Sequence, residues 1–545
     1  MMNSFVKANT FDAGANNSMT ENGAVSYCTF GTYMTNQFGK SASYRGRSIE
    51  RVWEDQSMLW SEDASAALKF PFYLRLITRQ TNIMGGNKTE RVQRGAGVRD
   101  ESFKRLLWIA KYHPEEFYRN LWLLPVVGSW KDIWTLLSFD GASEYLNEQK
   151  FFEVIAEGIN DKNHKDLVKK YMPRIRSDKK CTTDWAKSTN NLAKRFAKLV
   201  GWTYKDYRIF KTSGKAHDFQ TIICKGLYEN LNWDTIPGKA LLNMVSGDFI
   251  KKHNLTESYI EWIESKPVAN FNGYAFELGR KIKQCGHSGP SLALKHTIDK
   301  QFDNLIETAK KDNGAIKGNV LCALDTSASM GTTNIDKAGT TPFDVCLSLG
   351  IYFSELNTGA FHNTVVMFDD ESTLLSLKGK TFTEKWSEIN SQKTAWGSTN
   401  FQSVINLLVD TRKNHPEIAL EDYPTTLLVV SDMQFNPSNH SYMPYSSEKE
   451  KTNYEEAMSK LEEVFPEDFV KNFKIIWWYC TNKETKDFPS TMEKAGTYMF
   501  SGFDGAVVSF LLGGSENSNT DEKTIPSMEE IIKSAFEQEV LALIH

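Results

Sequence analysis

The sequence of 545 residues lacks several patterns that identify common classes of protein. No apolar run approaches the roughly 20 residues that a membrane-spanning helix needs. The seven cysteines are scattered without a Cys-x-x-Cys pair. That distribution argues against structural zinc and favours reduced thiols in a cytoplasmic protein. The polar N-terminal residues contain no apolar signal core, so we expect no secretory export.

Motifs of common enzymes are also missing. The ten histidines form no His-Glu-x-x-His zinc motif, and no serine or cysteine nucleophile elbow stands near one of them. There is no Gly-x-x-x-x-Gly-Lys-Ser/Thr phosphate loop. These absences predict a protein that is not an enzyme.

The charge is distributed unevenly along the chain. Residues 1–300 carry a net charge of +12 and residues 301–545 carry −16, which leaves −4 overall. The densest basic segment, residues 162–198, contains 12 basic and three acidic residues. A solvated helical surface would have this composition, but a nucleic-acid-binding surface is our preferred interpretation, because part of the segment is a predicted loop at Pro173. A second basic stretch surrounds Gly95 and Gly97. The candidate RNA-binding residues are Arg91, Arg94, Arg99, Lys169, Lys170, Arg174, Arg176, Lys179, Lys180 and Arg195.

The hydrophobic pattern changes along the chain. From about residue 48 to 300, apolar residues recur at three- and four-residue spacing, which predicts successive helices and a HEAT-like α-helical solenoid. From about residue 316, strands and helices alternate, which predicts a doubly wound parallel sheet. The fold class is therefore α plus α/β. We expect an extended or flexible segment (1–45), a helical repeat domain (46–312) and a sheet domain (313–545). The predicted strands are 319–324, 364–368, 425–430, 474–479 and 496–500.

One predicted strand ends in a group of oxygen-bearing side chains. The apolar run Val320 to Leu324 is followed by Asp325, Ser327 and Ser329. The carboxyl end of a parallel strand faces the crevice in which open α/β sheets bind ligands. One carboxylate and two hydroxyls suit a hard divalent cation, so we predict Mg²⁺, or Mn²⁺ or Ca²⁺, at this position. An ordinary strand-end turn is the plainer alternative. An aspartyl-phosphate enzyme is a weaker one, because Ser327 stands where a second carboxylate is expected.

The pattern Asp325-x-Ser327-x-Ser329 resembles the metal-ion-dependent adhesion site of von Willebrand factor A domains. The resemblance implies a threonine from a second loop and an aspartate from a later strand end. Thr399 and Asp432 match these positions in the right order. It also implies that a partner protein offers an acidic residue to the bound metal.

The helical half resembles the TROVE-type ring of the Ro 60 kDa autoantigen and of the uncharacterised DUF2828 group. The motifs that carry the resemblance are Gly95-Ala-Gly-Val-Arg-Asp-Glu, Leu124-Pro-Val-Val-Gly-Ser-Trp-Lys-Asp, Lys205-Asp-Tyr-Arg and Trp233-Asp-Thr-Ile-Pro-Gly-Lys-Ala. The resemblance implies a non-catalytic scaffold that binds single-stranded or structured RNA. From the charge distribution and the lack of a long apolar run we expect a monomer that does not enter a membrane. The alternative is a metal-dependent protein–protein adaptor without RNA binding.

Overall fold

The chain forms two compact units. The computed structural model describes residues 17–213, 219–313, 316, 319–392, 397–438, 451–485, 487–494, 496–503 and 526–545. One unit comprises residues 1–45 and 236–532, and the other comprises residues 46–235 and 533–545. We call the first the sheet unit and the second the helical unit. Within the described segments, no helix combines the length and apolar character needed to cross a membrane.

The sheet unit contains a six-stranded, mostly parallel sheet. A short antiparallel hairpin, β1 (Asn17–Met19) and β2 (Val25–Tyr27), precedes it in the chain. The strands of the main sheet are β3 (Val320–Asp325), β4 (Thr364–Phe368), β5 (Ser372–Ser376), β6 (Thr426–Ser431), β7 (Lys474–Tyr479) and β8 (Thr497–Ser501). Their spatial order is β5-β4-β3-β6-β7-β8, and only β5 runs antiparallel to its neighbour. The five predicted strands are confirmed, and β5 was not predicted.

The central strands are apolar because both faces of the sheet are covered. Every residue of β3 and β6 is buried, as expected for parallel strands packed on both sides. The described helices of this unit lie before the main sheet or in the connections between its strands. They are α1 (Tyr33–Lys40), α13 (Gly238–Ser246), α14 (Phe249–Lys252), α15 (Thr256–Glu264), α16 (Ala275–Gln284), α17 (Leu292–Asn313), α18 (Ala328–Thr332), α19 (Pro342–Leu356), α20 (Phe382–Ser391), α21 (Phe401–Asn414), α22 (Asn453–Glu462) and α23 (Glu467–Asn472).

Residues 236–312 belong to the sheet unit, although we expected them in the helical domain. Their apolar faces pack on α20. The rings of Phe302 and Phe382 stack with centroids 4.3 Å apart, and Gly279 lies so close to Trp386 that a Cβ would stand 2.1 Å from the indole. Asp299 accepts hydrogen bonds from the backbone and the hydroxyl of Thr383. The expected boundary at 312/313 therefore does not separate the compact units.

The N-terminal segment is also part of the sheet unit. Residues 17–45, which we expected to be extended or flexible, form the β1–β2 hairpin and α1. Tyr27 exchanges two backbone hydrogen bonds with Phe488, at 2.9 and 2.8 Å. The buried ammonium of Lys40 donates to the carbonyl oxygens of Thr485 and Asp487 and lies 3.7 Å from the centroid of the Phe488 ring. These contacts anchor the segment to the chain that follows β7.

The helical unit consists of short helices, most of which bury part of their surface. They are α2 (Ile49–Glu62), α3 (Ala64–Arg75), α4 (Asp100–Tyr112), α5 (Pro114–Asn120), α6 (Leu124–Val127), α7 (Trp130–Leu137), α8 (Glu148–Asn160), α9 (Lys165–Tyr171), α10 (Asp184–Leu199), α11 (Tyr204–Thr212) and α12 (Phe219–Lys225). The buried Asp132 caps α7 and forms ion pairs with Arg75 and Arg99. A last helix, α24 (Met528–Phe536), contains the point at which the chain changes units. The predicted helical character is confirmed, and the HEAT-like solenoid stays a prediction.

We expect Gly350→Ala in α19 to destabilise the sheet unit by about 1–3 kcal/mol, since over-packing a dense core strains it. A Cβ at Gly350 would stand 2.6 Å from Leu324 of β3. Denaturant unfolding measures the change. In a Leu324→Ala background the same glycine substitution should cost less, because the clashing methyl groups are gone. An equal cost in both backgrounds would contradict the close packing of α19 on β3.

Candidate functional site

The carboxyl ends of β3 and β6 bring the predicted metal-binding residues together. In this parallel pair, Leu324 stands opposite Val430, so Asp325 and Ser431, the next residue of each strand, lie side by side. Asp325 also pairs with Phe368 of β4 on its other side. The three strands therefore end at the same edge of the sheet. We call the cluster of Asp325, Ser327, Ser329, Thr399 and Asp432 the acidic crevice.

Asp325 is fully buried and accepts two well-defined hydrogen bonds. Its Oδ1 accepts from the backbone N–H of Ser327 at 2.9 Å, and its Oδ2 accepts from the hydroxyl of Ser431 at 2.5 Å. Ser327 is the N-cap residue of α18, and its hydroxyl lies 3.2 Å from that of Ser329. The turn after β3 thus aligns two hydroxyls beside one carboxylate.

Asp432 lies in the segment that leaves β6. It is 4% exposed, and its Oδ1 accepts from the backbone N–H of Gln434 at 3.1 Å. The Ser329 hydroxyl favours the ionised form of this carboxylate and so acts to lower its pKa. The next residue, Met433, has a φ of 62°, a left-handed conformation that is costly for a side chain of this kind. The Ser431 hydroxyl accepts from the Met433 N–H at 2.8 Å and helps to hold the turn.

Thr399 reaches the acidic crevice from a separate loop. Its backbone exchanges two hydrogen bonds with Asn436, which lies four residues beyond Asp432. The Ala328 N–H donates to the carbonyl of Gly397 at 3.2 Å, which connects the Thr399 loop to the turn after β3. The Thr399 hydroxyl is buried, and the described part of the chain provides it with no hydrogen-bond partner. A buried polar atom without a partner costs stability, so its presence suggests a ligand.

Burial dominates the electrostatics of the acidic crevice. Burial and the neighbouring Asp432 carboxylate raise the pKa of Asp325 to about 7, and burial raises the pKa of Asp432. Over the residues that the structure describes, no lysine, arginine or histidine forms an ion pair with either carboxylate. The same part of the chain contains no group of three or more His, Cys, Asp or Glu side chains arranged for metal binding. The donors here are two carboxylates and three hydroxyls, a set that fits Mg²⁺ rather than zinc.

The helical unit contains a second candidate site, a cavity of about 960 Å³. We call it the basic cleft. Seven basic residues line it, and none of its described lining residues is acidic. The basic residues are Lys131, Lys170, Arg174, Arg176, Arg208, Lys211 and Lys225. Its apolar part includes Met172, Ile175 and Trp185, and the Trp185 side chain is 46% exposed.

Three residues of α11 hold the loop that forms one side of the basic cleft. The buried Tyr207 donates its hydroxyl hydrogen to the carbonyl of Pro173 at 2.9 Å. Arg208 donates to the carbonyl of Ile175 at 3.4 Å, and Lys211 donates to that of Met172. These bonds leave Arg174 and Arg176 exposed on the loop. Within the described residues, neither guanidinium has an acidic partner.

The predicted RNA-binding residues are only partly brought together. Lys170, Arg174 and Arg176 line the basic cleft, and Lys179 and Lys180 are exposed in the turn that follows. Lys169 is paired with Asp166 and lies over the ring of Phe210. Arg195 forms a two-pronged ion pair with Glu148 outside the cleft. The residues of the second basic stretch, Arg91, Arg94 and Arg99, do not line it either.

Sequence reasoning missed several residues at both sites. Lys131 and Lys225 line the basic cleft, although they lie far from its main segment in the chain. Ser431 is not among the predicted metal-binding residues, yet it is the hydrogen-bond partner of Asp325. The parallel register that pairs the two positions would have revealed it, but the sequence alone does not fix that register.

The chain therefore combines a mostly parallel sheet that carries an acidic crevice with a helical unit that carries a basic cleft. Residues 319–541 match a family model described as "Domain of unknown function (DUF7788)". The chain is also similar to "Uncharacterized protein L728" of Acanthamoeba polyphaga mimivirus, with 21% identity over 550 residues, 92% of this chain and 86% of the viral protein.

We expect Thr399→Val to weaken Mg²⁺ binding about tenfold or more without destabilising the metal-free protein. The substitution removes a buried hydroxyl that has no described partner, so its loss should be neutral or stabilising. Calorimetric titration with Mg²⁺ and thermal unfolding measure the two effects.

The matched control is Thr326→Val, because the Thr326 hydroxyl donates to the Phe368 carbonyl at 3.1 Å beside the same crevice. This variant should lose about 1–3 kcal/mol of stability and retain its Mg²⁺ affinity. A Thr399→Val protein that is destabilised but binds Mg²⁺ normally would show that the hydroxyl has only a structural part.

Proposed function

We propose that this protein is a non-catalytic RNA-binding scaffold. In this proposal the basic cleft of the helical unit binds RNA, and the sheet unit binds Mg²⁺ in the acidic crevice and recruits a partner through it. The observation that carries the proposal is the cleft, in which seven basic side chains and no described acidic one surround a cavity. The resemblance to the TROVE and von Willebrand factor A modules agrees with both halves of the proposal.

The charge of the basic cleft supports a polyanionic ligand. Contacts with phosphates supply most of the affinity of proteins for nucleic acids, and they require lysine and arginine. Lysine clusters on ordinary surfaces are usually interspersed with acidic residues. Here Arg174 and Arg176 have no such partner among the described residues, so their charges are available to a ligand.

The apolar part of the basic cleft supports a single-stranded rather than a duplex ligand. Single-stranded RNA is bound by stacking its bases on aromatic side chains next to a positive groove. Trp185 is exposed beside the cleft, and the ammonium of Lys131 lies 5.5 Å from the centroid of its ring. An indole held next to a cation provides a stacking surface beside a phosphate contact. A duplex, whose bases are already stacked, would not use an apolar cavity.

The acidic crevice supports the metal-dependent half of the proposal. Asp325 and Asp432 would hold Mg²⁺ directly or through water, with Ser327, Ser329 and Thr399 as neutral oxygen donors. A divalent cation there would supply a positive site to which an acidic side chain of a partner protein binds. Among the described residues, the Thr399 hydroxyl has no hydrogen-bond partner and neither carboxylate forms an ion pair, and both observations support this assignment.

The same observations also favour a second candidate, a metal-dependent protein–protein adaptor that does not bind RNA. The acidic crevice is formed wholly by the sheet unit, so partner binding there does not depend on the basic cleft. Titration of the full chain with single-stranded RNA separates the two candidates. Only the scaffold should bind RNA, and the binding should weaken steeply with added salt.

Reversing the charge of Arg174 and Arg176 together, R174E/R176E, should weaken binding to a single-stranded oligonucleotide. Each lost phosphate contact should reduce the slope of log affinity against log salt by roughly 0.7. Filter binding over a range of salt concentrations measures the slope. The double variant K150E/K205E makes the same change in charge on exposed positions of the helical unit that do not line the cleft. If the two double variants give equal slopes, the effect comes from the net charge of the protein and not from binding of RNA in the basic cleft.

Trp185→Leu should reduce affinity for the same oligonucleotide by about tenfold and leave the salt slope unchanged. Stacking of one base on an aromatic side chain contributes about 1–3 kcal/mol and involves no counterion. Tyr204→Leu is the control, because Tyr204 is 48% exposed on α11 but does not line the cleft. If Trp185→Leu binds RNA as well as the wild type, the aromatic contribution has to be abandoned.

A further inference from the structure

Three aromatic rings in the helical unit surround one lysine ammonium. The Nζ of Lys111 lies 4.8 Å from the ring centroid of Trp53 and 5.0 Å from those of Tyr112 and Tyr145. We call Trp53, Tyr112 and Tyr145 the aromatic cage. All three distances are within the range at which a cation is attracted to the face of a ring. None of these residues lines the basic cleft.

The aromatic cage is built on a rigid frame. Trp53 lies on α2, and its indole N–H donates to the backbone carbonyl of Lys104 on α4 at 2.9 Å. Tyr112 ends α4, and its ring packs 5.1 Å from that of the buried Trp108. Tyr145 follows the short helix Ala142–Glu144. A hydrogen bond therefore holds the Trp53 indole and packing holds the Tyr112 ring, and neither contact involves Lys111.

The angles between the rings indicate the shape of cation that fits. The Tyr112 and Tyr145 rings make angles of 78° and 67° with the Trp53 indole. A planar cation needs parallel rings above and below it, as in stacking. Here the Trp53 indole forms the base of the site, and the two nearly perpendicular tyrosine rings form its sides. A tetrahedral ammonium therefore contacts all three rings at once. The carboxylate of the adjacent Glu144 raises the pKa of the Tyr145 hydroxyl, and this carboxylate supplies negative charge next to the Tyr145 ring.

Lys111 is a weak occupant of the aromatic cage. Its side chain is exposed, and a primary ammonium is strongly hydrated, so little is gained when it leaves water for the rings. A quaternary ammonium is larger and donates no hydrogen bonds to water. It would contact all three rings at a lower cost in hydration.

We propose that the aromatic cage is a binding site for a quaternary ammonium group, of which a trimethylated lysine on a partner protein is the chemical class it fits. Lys111 occupies the site in the absence of the partner and is displaced when the partner binds. This site is independent of both the acidic crevice and the basic cleft, so its test does not depend on the proposed function.

The test uses the full chain and ligand-observed NMR with three small probes. They are N-acetyl-trimethyllysine methylamide, its unmethylated form and a neutral analogue in which carbon replaces the charged nitrogen. In a Lys111→Ala variant, whose exposed helical position tolerates alanine, the trimethylated probe should bind about tenfold more tightly than either of the others. Its methyl protons should shift upfield because they lie over aromatic rings. The wild type should bind the same probe more weakly, since Lys111 competes.

A second variant keeps the proposal falsifiable. Tyr112 is 51% exposed, so adding Tyr112→Leu to Lys111→Ala removes one wall without opening the core. This double variant should lose the preference for the charged probe. The proposal is overturned if the neutral analogue binds as well as the trimethylated probe, if Lys111→Ala binds neither at millimolar concentration, or if the wild type and Lys111→Ala bind equally.

Discussion

Two buried carboxylates that form no ion pair within the described residues are the constraint on which the sheet unit depends. Asp325 and Asp432 are almost completely inaccessible, and within the described residues neither forms an ion pair. Burying an ionised group costs several kcal/mol unless its charge is neutralised. Hydrogen bonds from Ser327, Ser431 and Gln434 offset part of that cost. A bound proton or a divalent cation must neutralise the charge that these hydrogen bonds do not compensate.

The architecture explains how such a cluster is maintained. Parallel strands with both faces covered are rigid, and their register places Asp325 beside Ser431, the residue before Asp432. The residues that follow Asp432 then connect the turn after β6, the Asp432 carboxylate and the Thr399 loop. Met433 adopts its left-handed turn, Gln434 holds the Asp432 carboxylate, and Asn436 holds the Thr399 loop. A side chain at Gly350 would press on Leu324 of β3. It would therefore displace the backbone of β3 and disturb the acidic crevice at the end of that strand.

Short sequence patterns predicted the strands and site residues whose structure depends mainly on neighbouring residues in the chain. The buried runs of β3 and β6 and the aspartates at their ends were recognisable because parallel strands are continuously apolar and end at one edge. The strand β5 was missed because Ser372–Ser376 is a mostly exposed edge strand with no apolar run. The position of residues 236–312 in the sheet unit was also missed, because amphipathic helices do not encode which core they cover.

The same distinction applies to the candidate sites. The basic segment was identified from its density of charge, but Lys131 and Lys225 join it only through the fold. Arg195 was counted with them, although a carboxylate 47 residues away in the chain engages it. Pairing between distant residues decides which charges remain available to a ligand, and a single sequence does not contain that information.

Thermal unfolding of an Asp432→Asn variant with and without Mg²⁺ tests the central claim most directly. The variant removes one of two adjacent buried charges and keeps the shape of the side chain. The account predicts that the metal-free variant melts at the same temperature as the wild type or higher. It also predicts that saturating Mg²⁺, which should stabilise the wild type by about 2.7 kcal/mol at a hundred times its dissociation constant, has no effect on the variant. A variant that is less stable without metal and is still stabilised by Mg²⁺ would contradict the account.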